Sequence, residues 1–247
     1  MSARLSIITI TYNAALTLER TIISVEKQNY SNIEYIIVDG KSTDLTMDIV
    51  ARHASRIDKS ISEPDGGLYY AMNKGLNMAT GDYVWFLNAG DEIAEEDTVT
   101  KMFASADDAD VYYGDTVMTN MRGEVIGERR LCPPKELTWK SFKNGMLVSH
   151  QSFVPRRSLC KEYDTQYRFS ADFDWCVSIL RRSTAIVNTD LILSRFLDGG
   201  ITKQNIIPGL KERFRIMTHH YGIISTVYHH IPIAIKFFYY WITRGRF

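Results

Sequence analysis

The strongest constraint on this chain is an alternation in its first ninety residues. Runs of β-branched and aromatic residues, LSIITIT (5–11), IEYIIVDG (33–40), DKSISE (58–63) and YVWFLN (83–88), are separated by helically spaced segments at 15–27 and 68–79. STD (42–44) offers an N-cap for a further helix between the second and third runs. Strands that read as near-continuous apolar runs are buried on both faces, and strands alternating with helices of this length predict βαβ crossovers. The predicted fold class is therefore α/β, a mainly parallel central sheet flanked by helices. Ligands on such sheets sit beyond the carboxyl ends of the strands, where this sequence places Tyr12, Asp39 and residues 88–91.

The second half is less regular. DVYYGDTVM (110–118) and GEVIGERR (123–130) read as a hairpin, and VSHQSFV (148–154) as a strand. ADFDWCVSILRR (171–182) has helical spacing, and DLILSRFL (190–197) reads as a closing strand. After Gly199-Gly200 the pattern becomes helical, basic and aromatic.

Several function classes drop out on composition and motifs. Lys plus Arg and Asp plus Glu number 29 each, so the total charge argues against a general nucleic-acid partner. The distribution is uneven: residues 201–247 hold seven basic side chains against one acid, leaving 22 against 28 elsewhere. A basic tail on an acidic body points the tail toward something anionic. Cys132, Cys160 and Cys176 are too few and too scattered for a disulfide framework or a zinc site, which predicts a reducing compartment. No secretory signal pattern precedes the first strand, and the apolar stretch 231–242 is too short to span a bilayer and holds Lys236. The expectation is a cytoplasmic protein, either free or peripheral on the inner face of the cell membrane. TYNAAL lacks the glycines of a dinucleotide fingerprint, and DGKST is no phosphate loop because Tyr35 stands where its first glycine belongs.

Five segments occur in a fixed order: SIITITYNA, IEYIIVDGKSTD, SEPDGGLYYAMNKGLNMATGDYVWFLNAGDE, HQSFVPRRSL and FSADFDW. The succession resembles the family 2 glycosyltransferases over about residues 5–202, and is most similar to bacterial members that build surface polysaccharides. The resemblance implies a GT-A-like catalytic domain at 1–202 and a helical C-terminal extension at 203–247. It implies inverting transfer from a UDP-, dTDP- or GDP-linked sugar to a saccharide or polyprenyl-diphosphate-linked saccharide. It further implies a divalent cation, Mg²⁺ or Mn²⁺.

The resemblance also assigns residues. Asp39, a carboxylate that only accepts hydrogen bonds, would read a base presenting a ring N–H, with Thr9, Thr11 and Tyr12 as the wall of the same pocket. Its competing role is to cap the turn toward Ser42 and Thr43. Asp65 and Asn73 would line the nucleotide-sugar site; alternatively Asp65 caps a helix and Asn73 is solvated. Asp91 would hold the cation with the donor's phosphates, since Mg²⁺ needs only one or two protein carboxylates when phosphates complete its shell. The family pattern usually carries two further acids here, which this sequence replaces by Asn88 and Gly90; Glu92 is a candidate helper. Asp172 aligns with the catalytic base, although Ala171 stands where the family commonly has Glu. Asp174 reads as a helix N-terminal charge. His150 and Gln151 would contact acceptor or diphosphate, and DGGIT (198–202) reads as a closing loop or a simple turn.

The extension's composition suits an interfacial helix on an anionic membrane, a helix packed on the catalytic domain, or a homo-oligomer interface. Two rivals to the enzyme reading are a non-catalytic nucleotide-sugar-binding protein and a nucleotidylyltransferase. The latter should carry a Gly-rich basic loop after the first strand, and TYNAAL has none.

Overall fold

The computed structural model describes residues 2–199 and 206–231. Four parallel strands form the first sheet in the order β3-β2-β1-β4: β1 (Leu5–Thr11), β2 (Ile33–Asp39), β3 (Lys59–Ser62) and β4 (Tyr83–Phe86). The helices α1 (Leu18–Glu26), α2 (Thr46–Arg52) and α3 (Leu68–Met78) supply the crossovers. Every residue of β1 is buried, which is why its sequence shows no polar alternation.

The two faces of this sheet have separate cores. Ile8, Ile36, Val38 and Phe86 pack toward α3 and the later helix α5 (Ala171–Leu180), while Ile7, Ile37, Trp85 and Leu87 pack toward α1, α2 and α4 (Thr98–Ala104). Beneath the sheet, the carboxylate of Glu34 accepts from Lys59 Nζ, Ser6 Oγ and the backbone and hydroxyl of Thr80. Burial alone would raise its pKa, but these donors hold it down at about 2.

A second, mixed sheet follows in the order β5-β9-β6-β7, built from β5 (Glu92–Ile93), β6 (Val111–Thr119), β7 (Val125–Glu128) and β9 (Ile186–Leu197). The short β8 (Phe153–Pro155) pairs with β6, and the bridge between Tyr83 and Arg156 joins the two sheets. The predicted strand at 148–154 is thus a 3-10 turn, His150–Ser152, running into β8. The predicted closing strand begins earlier than its apolar run, at Ile186, because β6 offers a parallel partner along its length.

Helix α6 (Ile206–Tyr221) lies against α5 and buries Ile216 and Met217. Tyr221 stacks on Trp139 with ring centroids 5.3 Å apart and donates to its carbonyl at 2.6 Å. This part of the extension is a helix packed on the catalytic body. Residues 223–231 are also helical. The predicted boundary at 202/203, most of the DGGIT segment and the tail 232–247 lie outside the described residues.

Candidate active site

Parallel strands β1, β2 and β4 end almost level. Thr11 pairs with Asp39, Gly40 N–H donates to the Thr11 carbonyl at 2.9 Å, and Ala89 N–H donates to the Ile10 carbonyl at 3.0 Å. The chain segments leaving these strands therefore open on one side, as parallel sheets require. Over their ends lies a cavity of about 1020 Å³. Thr11, Tyr12, Gly40, Asn88 and Asp91 form its floor, Asp65 and Tyr69 come from the start of α3, Arg168 and Asp172 from the start of α5, and Leu197 from the end of β9.

Asp91 is only 3% exposed. Its Oδ1 accepts from Leu197 N–H at 3.0 Å and its Oδ2 from Gln151 Nε2 at 3.1 Å. Burial pushes its pKa up to about 7, against the pull of those two donors and of Arg20. Gly90 has φ +103°, a conformation that favours glycine, and a Cβ there would stand 2.7 Å from Leu197 Cδ2 and push that side chain aside. Asn88 Oδ1 and Thr11 Oγ1 are buried on the cavity floor without a hydrogen-bond partner. Unsatisfied buried polar atoms are costly, and those that line a cavity point to a ligand that satisfies them.

The expected cation can be tested against these groups. No cluster of three His, Cys, Asp or Glu able to hold a metal occurs among the described residues. Asp91 and the orphaned Asn88 oxygen are nonetheless hard donors on one cavity floor, and they fit Mg²⁺ or Mn²⁺ completed by phosphate oxygens. Glu92 does not belong to this set: it lies in β5 and ion-pairs with Arg20 at 3.5 Å.

Across the cavity, Asp172 is partly exposed at the first turn of α5. Its Oδ1 accepts from the Tyr69 hydroxyl at 3.0 Å and from Phe173 N–H at 2.9 Å. Burial, then the charge of Asp172, raises the Tyr69 pKa well above the ordinary value, so the phenol remains a donor. Behind it, Tyr69, Tyr163 and Trp175 stack in sequence, with centroids 5.6 and 4.8 Å apart. Asp174 points instead to α6, where it meets His220 Nε2 at 2.6 Å.

Other expected residues fall in different places. His150 and Gln151 line the cavity. His150 Nε2 pairs with the Tyr163 hydroxyl at 2.7 Å, and burial lowers its pKa to about 4, so it is neutral near pH 7. Asp65 lines the cavity and its Oδ1 accepts from Gly67 N–H at 2.8 Å, an anchor for the start of α3.

Three of the expected contact residues are engaged by the protein itself. Asp39 is 0% exposed and accepts from Ser42 N–H at 2.9 Å, from the Ser42 hydroxyl and from the Ser62 hydroxyl at 2.6 Å. It anchors the turn, and the cavity wall at this point is Gly40. Thr9 is likewise buried, bonded to the Leu87 carbonyl and the Tyr35 hydroxyl. Asn73 clamps the Tyr163 backbone from both sides, at 3.0 and 2.7 Å, and does not line the cavity. Three groups escaped the sequence reading: Tyr69, Arg168 and the Leu197 amide. Tyr69 is the only one with a local signal, standing in the first turn after Gly66-Gly67.

Comparison with known proteins extends this picture. Residues 6–164 match the family described as Glycosyl transferase family 2. A protein of Mycobacterium tuberculosis named PGL/p-HBAD biosynthesis glycosyltransferase is 34% identical over 219 residues, covering 84% of this chain and 78% of its own. Among solved structures, S. aureus TarS residues 1–349 superpose with a TM-score of 0.71 at 17% identity, covering 98% of this chain and 75% of that one. A mannosyltransferase of Pyrobaculum calidifontis, solved with GDP-Man and Mn²⁺, gives 0.61 at 16% identity, covering 100% and 77%.

Proposed function

The chain belongs to the family 2 glycosyltransferases and has their α/β GT-A-like fold, and from that premise we propose that it moves a sugar, with inversion, from a nucleotide diphosphate donor to a hydroxyl of a saccharide or lipid-linked saccharide. The observation that carries this reading is one cavity with a buried carboxylate on its floor, Asp91, and a second, accessible one at the facing helix start, Asp172.

On this reading the base lies at the Tyr12 end. Tyr12 is 65% exposed at the cavity rim, and its ring offers a stacking face. Asp65 Oδ2 stands 3.1 Å from where a Cβ on Gly40 would lie, on the cavity side of the turn that Asp39 anchors. We assign Asp65 to accept the ring N–H of a uracil, thymine or guanine base. The diphosphate would lie over Thr11, whose orphaned hydroxyl can donate to it. A bound cation would supply charge stabilisation for the departing nucleoside diphosphate. Asn88 and Asp91 would hold it, with Gln151 orienting the Asp91 carboxylate.

Asp172 accepts the acceptor's hydroxyl proton as the new bond from that oxygen to the anomeric carbon forms and the bond to the diphosphate oxygen breaks. The nucleoside diphosphate leaves with the electron pair. Tyr69 fixes which Asp172 oxygen is free for the proton, because its own hydrogen bond occupies Oδ1. Neutral His150 lines the same wall without adding charge.

The extension is assigned to a membrane surface with anionic headgroups. Ile223, Ile224, Val227, Tyr228 and Ile231 are exposed and share one face of the helix at 223–231. The chain beyond it carries Lys236, Arg244 and Arg246 among aromatic residues. No helix among the described residues is long and apolar enough to cross a membrane. A membrane-held, polyprenyl-diphosphate-linked acceptor would follow from such docking.

The test is a panel of UDP-, dTDP- and GDP-linked sugars with Mn²⁺, followed as nucleoside diphosphate release by the wild type and by Asp172→Asn. The variant should bind the donor with unchanged affinity and release diphosphate at least about a hundredfold more slowly. Release at the wild-type rate would remove Asp172 as the base, and no release by the wild type from any donor would remove the transfer reading.

A further inference from the structure

The loop that leads into α5 is held by a side chain from outside the family 2 segment. Residues 168–170 precede Asp172, and two of them, Arg168 and Phe169, line the cavity. With that of Ser170, the N-cap residue of α5, their backbone N–H groups need partners from outside the helix. The Glu212 carboxylate on α6 supplies them, tying down the turn ahead of α5. Its Oε1 accepts from Arg168 N–H at 2.9 Å, and its Oε2 from Phe169 N–H at 2.8 Å and Ser170 N–H at 3.0 Å. The Ser170 hydroxyl completes the junction by donating to the Gly209 carbonyl of α6 at 3.2 Å.

A second clip lies further along the same helix. His220 is eight residues on, about 12 Å along the axis, and reaches Asp174 in the first turn of α5. Arg213, next to Glu212, covers the Phe173 ring at 5.4 Å. Residues 168, 169, 170, 173 and 174 are therefore all held by α6, and of the two between them, Ala171 and Asp172, only Asp172 carries a reactive side chain. Its partner Tyr69 comes instead from α3.

We infer that Glu212 is a positioning residue: by anchoring the turn that leads into α5 it sets where the Asp172 carboxylate stands relative to the acceptor hydroxyl. The inference rests on the reading of Asp172 as the base. It gives the C-terminal helix a part in turnover that is separate from any role at a membrane. A carboxylate suits this position because it accepts three N–H bonds with two oxygens and complements the positive end of the helix dipole. Losing the carboxylate leaves three donors of the turn ahead of α5 to water and frees that turn to move. Displacements of about 1 Å at a reacting group cost on the order of a hundredfold in rate.

The experiment compares the full chain with Glu212→Ala, Glu212→Gln and Asp172→Asn. The probes are the UDP-, dTDP- and GDP-linked sugars of the panel, with Mn²⁺ and with water as the acceptor. Donor Kd, diphosphate release and thermal unfolding are measured together. Glu212→Ala should lose about 10- to 100-fold in kcat with donor Kd within about twofold. Glu212→Gln, which keeps one accepting oxygen, should recover part of that loss. A folded Glu212→Ala that turns over within about threefold of wild type would overturn the inference, as would parallel losses in kcat and donor affinity. If Glu212→Ala does not fold, Glu212→Gln decides: lowered kcat at unchanged Kd supports positioning, and unchanged kcat overturns it. Full turnover by Asp172→Asn would instead sink the base reading on which the inference stands.

Discussion

Replacing Asp91 by Asn separates what the carboxylate costs the ligand-free protein from what it does for the ligand. The ordinary carboxyl value of 3.8 rises to about 7 in the fold, with burial as the main cause. Between those values the folded protein holds a proton that the unfolded chain has released, so stability falls as pH rises from about 4 to about 7. At about 1.4 kcal/mol per pH unit the full cost of the ionised group is about 4 kcal/mol above pH 7. At pH 5 only about 1.5 kcal/mol of it has appeared, because the unfolded carboxyl is itself little more than one unit past its midpoint. The Asn side chain still accepts from Leu197 N–H, while its NH₂ meets the Gln151 amide, a mismatch of roughly 1–2 kcal/mol that does not depend on pH. Urea unfolding of both proteins at pH 5 and pH 8, without divalent cations, cancels that mismatch. The variant should gain about 2.5 kcal/mol relative to wild type between the two conditions. A relative stability that stays constant within about 0.5 kcal/mol would refute a buried, proton-holding Asp91. Adding Mn²⁺ to either protein with a nucleoside diphosphate at pH 8 should then stabilise the wild type further and add little to the variant.

Two other perturbations probe the ends of the molecule. Tyr12→Ala should weaken UDP or GDP binding by about 1–3 kcal/mol, the usual value of one base–aromatic stack, with thermal stability unchanged because the ring is largely exposed; unaltered affinity in a calorimetric titration would move the base elsewhere. Ile224→Glu with Tyr228→Glu should abolish flotation with phosphatidylglycerol vesicles while turnover on soluble donor stays within about twofold, and persistent flotation would locate membrane contact on another surface.

The fold was legible where a residue's environment is set by its own strand or helix. β1, β2 and α3 follow their apolar runs because a parallel strand buried on both faces has no other reading. The candidate site was legible at strand and helix ends, as Asp91, Asp65 and Asp172 show. It failed where the decisive partner is distant in sequence. Asp39 looked free to meet a base, but Ser42 engages both its oxygens and Ser62, 23 residues on, adds a second bond to Oδ2. Asn73 looked solvated or ligand-facing, and the Tyr163 backbone, 90 residues on, claims both ends of its amide. Glu212 was simply the one acid in a basic tail; that it anchors a turn 42 residues upstream has no local signature. Short-range pattern identifies which groups stand at a site, and long-range hydrogen bonds decide which of them are still unspent.

The same logic accounts for the two acids this chain lacks beside Asp91. At Gly90 the backbone is left-handed and the end of β9 fills the space beside it, so a side chain would collide with Leu197. A residue with a side chain here would hold a strained φ and push the Leu197 side chain aside. Asn88 meets a different constraint. A second buried carboxylate on this floor would add a like charge to a group whose pKa burial already raises to about 7, whereas an amide supplies an oxygen with no such penalty. Its Oδ1 is left without a protein partner, as a ligand atom waiting for phosphate-borne cation would be. A floor with one carboxylate and one neutral oxygen has too few donors to hold a divalent ion alone, so on this reading cation and diphosphate enter the cavity together.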